Sequence, residues 1–163
     1  MRVLGLDPGS TATGFGIVTF EAGRLTLEGC GVWRPPARLG FPGRLDFLAT
    51  ALQALLAEAR PAAASVETVF AAKNIASALK LAHVRGALLA AAARASVPVF
   101  EYEPRLVKKA LVGYGQAEKE QVRAMVLSLL ARQRSRIPLD AADALAVAIC
   151  HIHASPPLRS GPG

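Results

Sequence analysis

Cysteine is nearly missing. Cys30 and Cys150 are the only two in 163 residues, and without a C-x-x-C pair or a nearby ligand pattern they exclude a disulfide framework and a thiolate metal site, and read as core thiols. Aromatic residues are few at 6%, yet hydrophobic residues reach 52% and charged ones only 19%, a balance that excludes a disordered chain. The longest apolar runs, Ala87 to Ala93 and Ala144 to Cys150, stop far short of the roughly 20 residues of a membrane-spanning helix. No membrane partner is therefore expected. Asp7 breaks the apolar start before a signal-peptide core can form, so a cytoplasmic protein is expected.

Familiar catalytic apparatus is lacking too. No Ser/His/Asp signature is present, and the three histidines are His83 in mid-chain and His151 and His153 near the C-terminus. The pair His151-x-His153 has the look of a metal clip but reads as a solvated helix end. Gly14-x-Gly16 lacks the third glycine and the following helix of a dinucleotide site.

What is present is a chain of single-domain size, expected to fold over 1–154 with a disordered tail over 155–163. Its charge of +7 is unevenly spread. Residues 1–67 balance six basic against six acidic side chains, 68–139 hold twelve against four, and 140–163 hold one against two. A basic middle between balanced flanks suits contact with a polyanion, although a solvated basic surface would look the same.

Apolar runs broken by turn signals predict three sequential hairpin strands, around Val3 to Leu6, Gly14 to Phe20 and Arg24 to Trp33. Leu45, Leu48, Leu52, Leu55, Leu56 and Ala59 then predict a helix ending before Pro61, followed by a buried strand over 62–66 that ends at Glu67. A helix over 74–94 carries a stripe of mostly small residues, Ile75, Leu79, Ala82, Gly86, Leu89 and Ala93. That stripe is a candidate dimer interface, and could equally pack on the sheet. A fifth strand over 97–102, a short helix from Pro104, a helix over 118–132 and a last helix from Pro138 complete the chain. The last helix shows a buried stripe of Leu145, Ala148, Ile149 and Ile152. The fold class is α/β, with a mixed five-stranded sheet flanked by helices.

Four carboxylates stand where a core should be. Asp7 and Glu67 each end a buried strand, and Asp140 and Asp143 open an otherwise apolar helix. Each has an ordinary alternative: a turn at Asp7, a Lys73 partner for Glu67, an N-cap and an acidic first turn for Asp140 and Asp143. Together they would cluster, which is strongly unfavourable out of water unless a cation is bound between them. Oxygen donors without histidine or thiolate suit Mg²⁺ or Mn²⁺, and two such ions can direct water at phosphorus while stabilising the departing oxygen. An acidic metal site beside a basic region points to phosphodiester chemistry.

Several segments together resemble one family. Val3-Leu-Gly-Leu-Asp-Pro-Gly-Ser-Thr-Ala-Thr-Gly-Phe-Gly, Val66-Glu-Thr-Val-Phe-Ala-Ala-Lys-Asn, Ser77-Ala-Leu-Lys-Leu, Pro98-Val-Phe-Glu-Tyr, Gly113-x-Gly-x-Ala-Glu-Lys-x-Gln-Val and Asp140-Ala-Ala-Asp-Ala-Leu-Ala-Val-Ala look like RuvC, the bacterial Holliday junction resolvase family. The likeness runs from residue 3 to about 153. It implies an RNase H-like fold, a homodimer, the branch-migration complex RuvA–RuvB as partner, and Mg²⁺-dependent paired incisions in a four-way DNA junction, with Mn²⁺ able to substitute and two ions per site. It assigns the acidic tetrad to Asp7, Glu67, Asp140 and Asp143, places Lys108 and Lys119 at the DNA and the reaction centre, and sets Phe70 against bases near the crossover. By position alone Phe70 is as readily a core aromatic. Lys73, Asn74, Lys80, Arg85, Arg105 and Lys109 are expected on the DNA side. The rivals are a DxG-type ATPase, which duplicates the domain where this chain has one copy, a YqgF-type nuclease acting on RNA, and a non-catalytic junction-binding protein with no use for four buried acids.

Overall fold

The computed structural model describes residues 1–68, 74–130 and 137–155. The strands β1 (Arg2–Asp7), β2 (Thr13–Glu21), β3 (Arg24–Trp33), β4 (Ala63–Glu67) and β5 (Val99–Tyr102) form one mixed sheet in the order β3-β2-β1-β4-β5. The first three are antiparallel neighbours, and β4 and β5 continue the sheet in parallel from β1. The helices are α1 (Phe41–Ala59), α2 (Ile75–Arg94), α3 (Pro104–Val112), α4 (Lys119–Leu129) and α5 (Leu139–Ala154). The expected element order is the observed one.

Side chains alternate across a strand, so each strand feeds two cores. Leu4, Leu6, Ile17, Ala64 and Val66 point to one face and pack with Leu48, Leu52 and Leu56 of α1 and Val84, Leu88, Ala91 and Ala92 of α2. Each fully buried leucine there contributes about 2 kcal/mol. Val3 and Val18 point to the other face, against α5 and the α3–α4 layer beyond it. Helix starts are set locally. Asn74 accepts a 2.8 Å hydrogen bond from the Ser77 amide at the head of α2, and Glu118 and Gln121 form a reciprocal capping box on α4.

Three expectations are corrected. The apolar stripe foreseen on α5 understates it, because every residue from Ala144 to Ile152 is buried: the helix lies between the sheet and the α3–α4 layer and has no solvent face there. The stripe on α2 does not pack on the sheet. Ile75 is 80% exposed and Leu79 56%, with Ala82, Gly86 and Ala93 also exposed, while the opposite face is the buried one. That apolar stripe makes α2 the one described helix long and apolar enough by composition to cross a membrane, although one of its faces packs into the core with α1. The fifth strand begins at Val99 rather than residue 97, because the chain is still turning at Ser96, whose φ is 56°. The basic segment 132–136 and the tail from residue 156 lie outside the described residues.

Glycine lets α5 approach the sheet. A Cβ on Gly5 would overlap the Ala144 carbonyl oxygen, and one on Gly14 would overlap that of Asp140. Neither obstacle is a flexible side chain; both are helix backbone. Gly5→Ala should therefore destabilise the fold by about 3 kcal/mol or more, in the upper range for overpacking, as read from urea unfolding. A loss below about 1 kcal/mol would show that α5 has room to retreat.

Candidate active site

The alternation that builds the two cores also assembles the acids. In β1, Val3, Gly5 and Asp7 share the α5 face. In β4, pairing Gly5 with Ser65 and Leu6 with Val66 brings Glu67 beside Asp7 on that same face. The first two turns of α5 lie over these strand ends, with Gly14 under Asp140 and Gly5 under Ala144. Asp7, Glu67 and Asp143 consequently line one cleft with Lys108, Lys119, Val107, Val122, Ala146 and Val147. Asp140 stands at its edge, where Arg34 Nη2 lies 3.9 Å from its Oδ2. The N-cap position of α5 is Pro138 and has no side-chain cap hydrogen bond. Neither acid is the N-cap, although Asp140 does stand in the first turn of α5.

The electrostatics are those of a site short of positive charge. Burial, then Asp143, Asp140 and Glu67 in turn, push the Asp7 carboxyl up to about 7, against a smaller opposing effect of Lys119. Burial and Asp143 likewise raise Glu67, with Lys119 and Lys108 opposing. Lys119 Nζ donates to Asp143 Oδ2 at 3.4 Å, and that carboxylate, ahead of any other influence, raises the lysine's pKa and keeps it charged. Lys119, Lys108 and the more distant Arg34 do not offset the burial and crowding that raise Asp7 and Glu67.

The other basic residues named from the sequence are dispersed. Lys108 faces the cleft, and Arg105 and Lys109 are exposed on α3. Lys80 lies elsewhere, in a pocket with Ser10, Thr11 and Arg44. Arg85 departs from a free phosphate contact: its side chain is mostly buried and pairs with Glu101 at 2.8 Å, beside the exposed stripe of α2. Phe70 and Lys73 lie outside the described residues. Arg34 was missed because it belongs to the charge-balanced first segment; only the position of β3's end beside α5 reveals it.

His151 also corrects the sequence reading. It is no solvated helix end but is 4% exposed, with Nδ1 2.6 Å from the Tyr102 hydroxyl and Phe100 tilted over its ring at 4.5 Å. Burial lowers its pKa. His153 turns away, with Nδ1 3.2 Å from the Ala110 carbonyl, so the two do not form a clip. Of the cysteines, Cys150 is fully buried and its thiol is pushed up to about 11, chiefly by burial. Cys30 is only partly buried.

Among the described residues, no three acids close into a ready coordination cage. The donor set nevertheless fits a hard divalent cation, which takes few protein carboxylates and keeps waters or substrate oxygens for the rest of its shell. The raised Asp7 pKa has a testable sign. Because it is higher folded than unfolded, Asp7 stabilises the metal-free fold below about pH 4 and progressively opposes it as pH rises to about 7. Metal-free Asp7→Asn should thus melt above the parent at pH 8, by at most about 4 kcal/mol, with the difference gone at pH 4. Equal melting at pH 8 would refute the crowding of these acids.

Known proteins share this fold. The family model for crossover junction endodeoxyribonuclease RuvC matches residues 3–151. The RuvC of Syntrophomonas wolfei is 49% identical, covering 94% of this chain and 89% of its own, and that of Solidesulfovibrio magneticus is 50% identical, covering 93% and 89%. The structure of Thermus thermophilus RuvC in complex with Holliday junction substrate superposes with a TM-score of 0.88 at 36% identity, over 94% of this chain and 93% of that one. By its sequence and its fold, the chain belongs to the RuvC family of crossover junction endodeoxyribonucleases.

Proposed function

We propose that this chain resolves four-way DNA junctions by hydrolysing one phosphodiester bond per subunit in a two-fold dimer, with divalent metal held by Asp7, Glu67, Asp140 and Asp143. The observation that carries this reading is the Asp7 carboxyl, pushed up to about 7 first by burial and then by three other acids, in a family of junction endonucleases. A protein that only bound DNA would gain nothing from such a cluster. Mg²⁺ is the expected ion, with Mn²⁺ an acceptable substitute and two ions per site. Bound there, the metal supplies an activated water and neutralises charge at phosphorus.

The chain's own groups do the rest. Asp7, Glu67 and Asp143 orient the centre from three separate elements, so its geometry is that of the packed core. Lys119, held beside Asp143, places a fixed positive charge where the reacting phosphate gains negative charge. Lys108 reaches the same cleft and grips phosphate. Asn74, Lys80, Arg105 and Lys109 track the DNA backbone beyond it, and Phe70 and Lys73 meet the crossover.

The dimer follows from the substrate's symmetry: one acidic centre per chain makes one cut, and paired cuts need two chains. The exposed stripe of Ile75, Leu79, Ala82 and Gly86 on α2 is the interface, and the Arg85–Glu101 pair borders it. RuvA–RuvB is the partner that presents the junction, and the cytoplasm, where that DNA lies, is the place of work.

Two measurements test this. Asp7→Asn should abolish Mg²⁺-dependent cutting of a synthetic four-way junction on a gel while still shifting the same junction in EDTA; cutting near the parent rate would overturn the metal assignment. Leu79→Asp should convert a sedimenting dimer into a monomer of 17.0 kDa and replace paired incisions by rare single nicks. A parent chain that is monomeric while fully active would reject the dimer.

A further inference from the structure

Arg34 is presented at the site by a stiff mount. It follows Trp33, the last residue of β3, which is registered with Thr13 on β2. The Trp33 ring stacks on Phe15 at 4.6 Å and 24°. Buried Pro35 comes next, fixing its own φ and confining Arg34 to extended backbone. The neighbouring loop is pinned as well, since Thr13 Oγ1 donates to the Gly9 carbonyl at 2.9 Å and accepts from the Gly9 amide at 3.2 Å. From this base the guanidinium extends toward Asp140, with its own side chain 65% exposed.

At 3.9 Å the contact is an ionic neighbour, beyond hydrogen-bond reach, and as a surface pair it stabilises the fold very little. Its geometry suits another use. The two acids of α5 each face one cation, Asp140 facing Arg34 from the end of β3 and Asp143 facing Lys119 from the start of α4. A phosphate placed over the acids would lie between the two. A divalent ion taking Asp140 would repel the guanidinium, whose planar fork of N–H donors matches two phosphate oxygens.

We propose that Arg34 is a further catalytic residue: a counter-charge to Asp140 while the site is metal-free, it passes to a non-bridging oxygen of the cleaved phosphate when metal and DNA are bound. The hydrolysis is otherwise unaltered. Water adds to phosphorus, the P–O bond to the departing oxygen breaks, and the proton balance lies with water and the leaving group. Arg34 only donates hydrogen bonds and stays protonated throughout.

This inference rests on the resolvase reading, and one set of experiments separates their failures. Single-turnover cutting of a saturating four-way junction is compared for the parent, Arg34→Ala, Arg34→Gln and Arg34→Lys. Junction affinity is measured in Ca²⁺, and Mn²⁺ binding to the DNA-free protein by calorimetry. The expected result is a rate loss of about a hundredfold for Arg34→Ala and Arg34→Gln, with partial recovery in Arg34→Lys, which keeps the charge without the fork. Junction affinity should move less than about threefold, Mn²⁺ should bind the DNA-free variants at least as tightly as the parent, and the melting temperature should hold. An unchanged rate, a loss erased by raising Mg²⁺, weaker Mn²⁺ binding, or a lowered melting temperature in both neutral variants would each overturn it. A parent chain inert on the same junction would instead overturn the resolvase reading.

Discussion

Everything functional in this protein depends on how closely α5 lies on the sheet. The helix backbone meets β1 and β2 over glycine, with Gly5 under Ala144 and Gly14 under Asp140, and its alanines fill the remaining space without pushing it away. Any larger residue on either side would lift the helix by the thickness of a side chain. Asp143 would then leave the cleft that it shares with Asp7 and Glu67. The same packing leaves α5 with no solvent face from Ala144 to Ile152, so the acids at its head are carried by a helix that is buried along most of its length.

That rigidity works against electrostatics. Four carboxylates are held near one another by core packing rather than by attraction, and the strain is recorded in Asp7, whose carboxyl is pushed up to about 7. The site is therefore less stable than its surroundings until positive charge arrives. Lys119 and Arg34 supply a little from opposite edges, both largely exposed. A centre built this way would suit a bound cation, because core packing already holds the acids together.

Much of this was legible in the residues. The continuous apolar runs of β1 and β4 place Asp7 and Glu67 at strand ends, and the apolar helix opened by Asp140 and Asp143 is plain in the chain. What stayed hidden was whatever depends on which surfaces meet. The stripe on α2 has the composition of a buried face and is exposed. His151 sits in a segment that looks terminal and is buried by Tyr102 and Phe100. Arg85 and Arg34 are indistinguishable by sequence from any other surface arginine, yet one is committed to Glu101 and the other faces Asp140. Periodicity reports which face of an element is apolar; it does not report the neighbour.

The exposed face of α2 joins these two levels. Glu67 ends β4 and Ile75 begins α2, so only a short stretch of chain separates a catalytic acid from the proposed dimer contact. Helix α2 is also clamped along its other face by Val84, Leu88, Ala91 and Ala92 in the core shared with β1 and β4. In the proposed dimer, a contact through this face would set the separation of the two centres by a packed helix in each subunit. A preference for branched DNA would then rest on the spacing of two centres in that dimer, without any requirement that the acids themselves distinguish one phosphate from another.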